Sequence, residues 1–194
     1  MAQQDNAPDV IAALCSRVSV GELVEPAPSP WQREKIFRAA LRAPDHGQLR
    51  PWRFLWVEGE ARQCVGHIIA EVEAQCYGEL SAAQHQKSAN RLLRAPLVLL
   101  VVAHITAHAK VPEIEQVMST AAAVQNMLNA AHALGVGVMW RSGLVTYEPL
   151  LAEKLGLAAN ERLLGFLYLG TPAGTVKQTP VLEVDQFFSA WTPQ

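Results

Sequence analysis

A chain of 194 residues with 50% hydrophobic and 18% charged residues can bury a substantial core, and this composition excludes extensive disorder. The formal net charge of −2, without a run of basic residues, excludes an electrostatic reason to bind nucleic acid. The longest apolar stretch, residues 95–103, is shorter than the roughly 20 residues of a membrane-spanning helix, so no membrane partner is expected.

The cysteines and the first residues indicate the compartment. Cys15, Cys64 and Cys76 form no CxxC motif and cannot all pair with one another. Residues 1–5 lack the cationic and apolar regions of a secretion signal. We therefore expect a cytoplasmic protein with reduced thiols, buried as small hydrophobic side chains.

The first half of the chain predicts helices on both sides of one strand. Ser29-Pro30-Trp31-Gln32 has the pattern of a capping box with proline at the first helical position, so a helix should run from there to about Leu41. Pro44 disfavours helical geometry at Ala43. The other predicted elements are a helix over residues 9–16, a strand over 52–57, and helices over 60–77 and 79–93.

The second half predicts a buried strand followed by a buried helix. Residues 95–104 form a continuous run rich in valine and leucine, which is typical of a central strand covered on both faces. Apolar residues recur at helical spacing from Ile114 to Leu134 and also occupy other faces, so this helix should be buried nearly all round, with Gly135 just after its end. A strand over 136–140, a helix capped by Thr146 and a strand over 163–170 complete the chain.

The order of these elements is that of a mixed α/β or α+β protein. About four strands are expected, with two helices between the first and the second, which is not a regular βαβ alternation. Gly135-Val136-Gly137 follows a helix and lacks a third glycine, so it does not predict a Rossmann site. His104 and His108 have a spacing seen in metal sites, but they fall at the end of a strand and without HExxH, and no metal is expected.

Three loops carry an arginine beside another polar group: Arg17 with Ser19, Arg42 with His46, and Arg141 with Ser142. A guanidinium group beside a hydroxyl suits a phosphate, which accepts bidentate, charge-assisted hydrogen bonds. The second loop, residues 42–52, connects a helix to a strand, a position where binding groups concentrate. This loop is equally consistent with an ordinary connection between a helix and a strand, and the three arginines are equally consistent with surface ion pairs. The residues alone therefore leave a binding site and a purely structural role both open.

Four stretches make the chain resemble the compact branch of the nitroreductase family of FMN-dependent oxidoreductases. They are Ser16-Arg17-Val18-Ser19, Arg42-Ala43-Pro44-Asp45-His46 with Pro51-Trp52, Trp140-Arg141-Ser142-Gly143, and residues 165–172, GFLYLGTP. The resemblance implies an α+β (mixed α/β) nitroreductase-like fold, with a central, mostly antiparallel sheet flanked by helices. It also implies a single domain over residues 1–194 and a homodimer.

The resemblance implies a set of cofactor residues. FMN would contact Arg17, Val18 and Ser19 of one subunit and Arg42 and His46 of the other, at the dimer interface. Arg141, Ser142 and Gly143 match the family's late FMN-binding segment. The nicotinamide nucleotide is associated with residues at the end of the preceding helix: Ala131, His132, Ala133, Leu134, Gly135 and Val136.

The function implied by the resemblance is hydride transfer through FMN. NADH or NADPH would reduce the flavin at N5 and leave, and a nitroaromatic, quinone or similar small oxidant would then take its place. No side chain need act as acid or base, so we name no catalytic residue. The alternatives are a flavin-binding sensor or carrier without turnover, and a flavin-fragmenting or dehalogenating enzyme, which usually has a lid that this chain lacks room for.

The chain departs from the family pattern at three positions. Val18 stands where a second arginine or another polar residue is usual, and Gly21 stands where many members have a basic residue useful to the reduced flavin. Arg50 replaces the glutamine usual before Pro-Trp. These departures concern redox tuning and the choice of substrate more than the binding of FMN.

Overall fold

The fold is taken from a computed structural model and is described for residues 7–175 and 177–193. The helices are α1 (Ala7–Ser16), α2 (Pro30–Ala40), α3 (Ala61–Tyr77), α4 (Ala82–Ala89), α5 (Glu113–Ala133) and α6 (Pro149–Lys154). The strands are β1 (Leu23–Val24), β2 (Trp52–Glu58), β3 (Leu97–His104), β4 (Gly137–Arg141) and β5 (Glu161–Pro172). Short 3₁₀ turns lie at His46–Gln48, Arg91–Arg94, Leu144–Tyr147 and Val184–Gln186.

The described strands form one antiparallel sheet in the order β2–β3–β5–β4, and β1 pairs with the last residues of β5. β3 lies in the middle and is buried from Leu97 to Ala103, as the apolar run predicts. Helices cover both faces of this sheet. The prediction of an α+β fold with a mostly antiparallel sheet is therefore confirmed.

Successive side chains of β3 point to opposite faces of the sheet and enter two separate cores. Leu97, Leu99 and Val101 pack with α2 and α5 on one face. Val98, Leu100 and Val102 pack with α3 and α6 on the other. The two cores hold the sheet and its helices in register, and so position the loops at the strand ends.

Local signals for helix ends are confirmed at two places. At the start of α2, Ser29 Oγ accepts a hydrogen bond from Gln32 N at 3.3 Å, and Ser29 N donates to Gln32 Oε1 at 2.9 Å. After α5, Gly135 has a φ of +69°, a left-handed conformation that glycine adopts at little cost. Both signals depend on neighbours in sequence alone.

Three element predictions are wrong in detail. The described sheet has five strands where about four were expected, because β1 has only two residues and leaves no periodic pattern. Residues 79–93 form α4 and a 3₁₀ turn in place of one helix. Thr146 caps no α-helix, since α6 begins at Pro149; its buried side chain instead accepts a hydrogen bond from Gly143 N at 3.1 Å.

Two burial predictions are also wrong. The helix α5 is not covered all round, because Ile114, Met118 and Gln125 lie exposed along one side. The three cysteines are free and exposed, not buried, because each falls on an outward-facing helical position. Apolar character of a residue does not identify which side of a helix contacts the sheet.

The described residues after β5 carry a row of exposed apolar side chains. Val181, Phe187, Phe188 and Trp191 are between 67% and 90% exposed. No helix in the described part of the chain is both long and apolar enough to span a membrane.

Candidate functional site

The segment Ser16–Gly21 lies between the end of α5 and the strand β4. Ser16 Oγ is 3.1 Å from Nε2 of His132, the penultimate residue of α5. The backbone N–H of Val20 donates to the carbonyl of Val138 in β4 at 3.0 Å. The structure thus brings the first arginine loop beside the end of α5, to which the sequence assigns the nicotinamide nucleotide, and beside the strand that leads to Arg141.

Arg141 is the last residue of β4, and its side chain lies between Gly21 and Tyr168. Its guanidinium carbon is 5.9 Å from the centre of the Tyr168 ring, within the range of a cation–π interaction. A Cβ atom on Gly21 would lie 3.5 Å from Nη2 of Arg141. The first and third arginine loops therefore share one surface.

Two buried polar atoms of these segments have no hydrogen-bond partner within the described residues: Nη1 of Arg17 in the first loop, and the hydroxyl of Tyr168, whose ring lies under Arg141. An unpaired buried polar group costs about 1–3 kcal/mol, and such groups often mark an unfilled ligand contact. Burial raises the pKa of Tyr168, while the charges of Arg91, Arg141 and Arg94 act in the opposite direction. The Tyr168 hydroxyl therefore stays protonated and can donate.

We call the depression beside Arg141 the arginine cavity; it has a volume of about 390 Å³. Its lining includes Arg91, Arg94, Arg141, Ser142 and Tyr168, and one carboxylate that faces them, Glu73. Three guanidinium groups against one neighbouring carboxylate make this part of the surface attractive to an anion.

A larger depression, of about 790 Å³, lies between α6 and the start of β5. Its charged lining residues are Glu113, Glu148, Glu153 and Glu161, with Arg162 as its one cation. Its negative balance disfavours a phosphate-bearing ligand. Charge therefore singles out the smaller, arginine-lined cavity as the candidate site.

The loop after β4 presents its polar groups outward. Ser142 is exposed, while Gly143 N is held by the buried Thr146 Oγ1. In the part of the chain that the structure describes, no carboxylate forms an ion pair with Arg17, Arg42 or Arg141. The structure therefore does not place these three arginines in surface ion pairs.

The loop with Arg42 and His46 lies at the opposite edge of the sheet. It leads into β2, whereas Arg141 ends β4, and the two intervening strands separate these edges by about 14 Å. Nδ1 of His46 is 2.6 Å from Oε2 of Glu115 near the start of α5. Within one chain the structure does not bring Arg42 and His46 to the arginine cavity.

The backbone of this second loop is constrained. Gly47, Gln48 and Arg50 all have φ between +49° and +72°, and left-handed geometry at the two non-glycine residues costs of order 1–3 kcal/mol each. Asp45 Oδ2 accepts a hydrogen bond from Arg50 N at 2.6 Å, which closes the loop. A strained, closed loop holds Arg42 and His46 in a defined exposed position.

The chain is similar to known proteins both in sequence and in structure. The sequence model of the nitroreductase family matches residues 16–171, most of the chain. The chain belongs to the nitroreductase family. Residues of the chain are 39% identical over 168 positions to the "Putative NAD(P)H nitroreductase YdjA" of Escherichia coli (strain K12), an alignment covering 84% of this chain and 88% of the relative.

Solved structures with the nitroreductase fold superpose on nearly the whole chain. A nitroreductase-like family protein of Bacillus cereus matches with a TM-score of 0.78 and 22% identity, over 98% of each chain. A Desulfovibrio desulfuricans protein, described as "a putative nitroreductase in complex with fmn", matches with a TM-score of 0.71 and 23% identity, over 95% of this chain and 98% of that one. At these identities the likeness supports the fold alone.

The segment Ala131–Val136 of this nitroreductase-family chain is only partly accessible. The side chains of Ala131 and Val136 are buried against the sheet, whereas Ala133 and Gly135 are exposed. The carbonyl of Leu134 accepts a hydrogen bond from Gln32 Nε2 at 3.2 Å. A nucleotide at this segment would meet its backbone and its exposed residues; the assignment stays a prediction.

Other predicted groups lie away from the cavity. His104 Nδ1 is 3.6 Å from Glu161, and His108 Nδ1 accepts a hydrogen bond from Lys110 N. Among residues 7–175 and 177–193, no three potential metal-binding side chains of histidine, cysteine, aspartate or glutamate cluster together.

Sequence reasoning missed three groups at this site. Arg91, Arg94 and Tyr168 line the arginine cavity with Arg141, although they come from different parts of the chain. A further cation, Lys177, lines a separate small depression with Ser19 and Glu22. Two arginines just before an apolar strand were the sole sequence signal for Arg91 and Arg94, and they would equally suit a solvated turn.

Proposed function

We propose that this member of the nitroreductase family is an FMN-dependent NAD(P)H oxidoreductase that reduces a nitroaromatic, quinone or similar small oxidant. The E. coli relative at 39% identity carries the name "Putative NAD(P)H nitroreductase YdjA", and the D. desulfuricans structure of the same fold was solved with FMN. These names support the cofactor, the hydride donor and the reaction class.

One observation carries the proposal: the segment that contains Arg17 lies beside β4 and the Arg141 guanidinium group, and no carboxylate of the described chain pairs with either arginine. The loop Arg17–Ser19 is tied to β4 through Val20 and Val138, and Gly21 gives the Arg141 guanidinium room. Guanidinium and hydroxyl groups are the donors that a phosphate-bearing, anionic cofactor requires. Nη1 of Arg17, which is buried and has no hydrogen-bond partner in the described part of the chain, supports the same fit.

When bound, FMN would supply the hydride acceptor and donor atom, N5. The protein would supply binding and electrostatics. Arg17 and Ser19 would hold the anionic end of the cofactor, and Val18 would contribute its backbone, because its side chain has no donor. Arg141, Ser142 and Gly143 would bind the opposite side of the same ligand. No proton transfer by a side chain is required, and we assign no catalytic residue.

We propose that the active unit is a homodimer in which Arg42 and His46 of one subunit complete the FMN site of the other. Their separation from Arg141 within one chain supports a role toward a neighbour. The exposed apolar side chains after residue 180, among them Phe187, Phe188 and Trp191, offer a surface for a second copy. Obligate interfaces commonly bury more than about 2,000 Å².

We propose that the nicotinamide nucleotide binds near the exposed part of Ala131–Val136. This segment lies beside the first arginine loop, because its residue His132 contacts Ser16. All described strands share one sheet, which favours one domain over the whole chain. The three free, exposed thiols favour a reducing compartment, which we propose to be the cytoplasm.

The proposal is tested with the purified chain. It should be yellow, release FMN on heating, and oxidise NADH or NADPH in the presence of a quinone or nitroaromatic acceptor. Failure to bind FMN even after reconstitution would overturn the cofactor assignment. Tight FMN binding without oxidation of either nicotinamide nucleotide would leave a flavin-binding protein and overturn the enzymatic assignment.

A further inference from the structure

The 3₁₀ turn Arg91–Arg94 brings two more guanidinium groups to the arginine cavity. The turn lies between α4 and β3 and directly precedes the central strand of the sheet. Both Arg91 and Arg94 line the cavity together with Arg141, Ser142 and Gly143, the loop assigned above to FMN. Two cations from a separate part of the chain therefore face the same ligand space.

The two arginines differ in how their charge is compensated. Arg91 Nη2 lies 2.6 Å from Glu73 Oε1, and Ser88 Oγ donates to the other oxygen of the same carboxylate. Arg91 is thus neutralised and positioned by α3. No carboxylate of residues 7–175 or 177–193 forms an ion pair with Arg94. Arg94 is the uncompensated cation that the turn contributes.

The buried side of the cavity supports a ligand there. The hydroxyl of Tyr168 is buried and has no hydrogen-bond partner among the described residues, and the residue as a whole is 2% exposed. Arg141 stacks over the Tyr168 ring at 5.9 Å. Gly21 presents no side chain to this space. The positive charge around the proposed cofactor therefore comes from β4 and from the turn before β3.

We propose that Arg94 is a further cofactor-binding residue. Arg17 and Ser19 are assigned above to the anionic end of FMN and the loop Arg141–Gly143 to its opposite side, so the guanidinium group of Arg94, which lines the cavity beside that loop, would stabilise the negative charge that the flavin ring system acquires on reduction. This inference rests on the proposed function. A fixed cation near the ring stabilises the anionic reduced form more than the neutral oxidised form, so it raises the midpoint potential of the bound cofactor. Arg91 cannot serve equally, because Glu73 already compensates it.

The experiment compares Arg94→Gln and Arg94→Lys with the parent chain. The matched control is Arg38→Gln, which removes an exposed arginine of α2 that pairs with Glu34. For each protein we would measure the Kd of oxidised FMN by fluorescence quenching and the midpoint potential of bound FMN by anaerobic titration. Thermal unfolding without FMN verifies that each variant folds.

Arg94→Gln should lose about tenfold in affinity for reduced relative to oxidised FMN, which corresponds to about 30 mV lower potential for a two-electron couple. Arg94→Lys should retain most of the parent potential, because it keeps the charge, and Arg38→Gln should retain all of it. If Arg94→Gln fails to fold, the test uses the salt dependence of the midpoint potential in Arg94→Lys. Added salt screens the lysine charge in this variant and should lower its potential, and a potential that does not change with salt overturns the inference.

The outcomes separate the inference from the function on which it rests. A parent chain that binds no FMN overturns the proposed function. A parent chain that binds FMN, with an unchanged potential in Arg94→Gln, overturns the role of Arg94 alone. An equal fall of the midpoint potential in Arg38→Gln would show that the shift reflects the net charge of the protein, and it would also overturn the role of Arg94.

Discussion

The guanidinium group of Arg141 fills the space beside the backbone of Gly21. A methyl group on Gly21 would lie 3.5 Å from Nη2 of Arg141, in ordinary van der Waals contact. A longer cationic side chain at position 21 would compete with Arg141 for this space and repel it. The glycine, which departs from the family pattern, therefore suits a site whose cation is supplied by β4.

Replacing Arg141 should weaken FMN binding more than hydride transfer. Loss of a charge-assisted hydrogen bond costs about 1.5–3 kcal/mol, or a roughly tenfold to hundredfold increase in the Kd of FMN. Arg141→Lys should rescue part of the loss, since lysine keeps the charge without the bidentate geometry. Fluorescence quenching measures the Kd, and turnover at saturating FMN should return toward the parent value.

The control for this prediction is Arg162→Ala, which removes an arginine that pairs with Glu113 at 3.3 Å beside the acidic depression. Its Kd for FMN should match that of the parent. Arg141→Ala that binds FMN as tightly as the parent would make the loop after β4 a structural turn. Arg17→Ala should behave as Arg141→Ala does.

Removing the hydroxyl of Tyr168 should not destabilise the protein without cofactor. The buried oxygen has no hydrogen-bond partner within the described chain, so Tyr168→Phe removes a desolvated polar group and keeps the ring under Arg141. The free energy of unfolding should stay equal or rise by about 1 kcal/mol, as measured by urea unfolding. A loss above about 1 kcal/mol would reveal a partner of this hydroxyl in solution.

Glu161 should make stability fall in acid. Burial by itself would raise the pKa of the Glu161 carboxyl, but hydrogen bonds from Ala158 N and Arg53, with the Arg53 charge, hold its pKa below the usual value of 4.5. The folded pKa is therefore below the unfolded one. The stabilisation is present above about pH 4.5 and is lost as the pH falls through the lowered value.

Urea unfolding between pH 3 and pH 7 measures this dependence. Glu161→Gln should cost roughly 1–3 kcal/mol at pH 7 and reduce the acid dependence, because one partner of the Arg53 pair is gone. The control is Glu71→Gln, which breaks an exposed pair with Lys154 at 3.3 Å and should cost less than about 1 kcal/mol. An unchanged pH profile in Glu161→Gln would contradict the assignment.

The exposed apolar residues near the end of the chain should stabilise a dimer. Phe187 and Phe188 are 67% and 73% exposed, and burial of each side chain against a second copy would contribute about 1.5–3 kcal/mol. Phe187→Ser with Phe188→Ser should raise the dimer dissociation constant at least about a hundredfold. Light scattering over a dilution series measures this, and an unchanged dissociation constant in a folded variant would exclude these residues from the interface.

Sequence reasoning succeeded where a signal is local. The capping box at Ser29, the left-handed glycine at position 135 and the apolar strand β3 each depend on a few consecutive residues, and the structure has all three. The motifs around Arg17, Arg42 and Arg141 identified the family for the same reason. Predictions of which side of a helix faces the core failed, as for the three exposed cysteines, because the orientation of a helix depends on packing with residues far away in the sequence.

The sequence by itself determined the main helices and strands, a mixed α/β or α+β class and the three arginine loops, and the antiparallel sheet followed from the resemblance to the family. Only the tertiary structure decided that the segment after Arg17 lies against Arg141, that Arg42 and His46 lie at the other edge of the sheet, and that Arg94 joins the arginine cavity. The physical reason is that strand order and register bring together residues that are far apart along the chain. The local preference of residues for helix or strand contains no information on strand order or register.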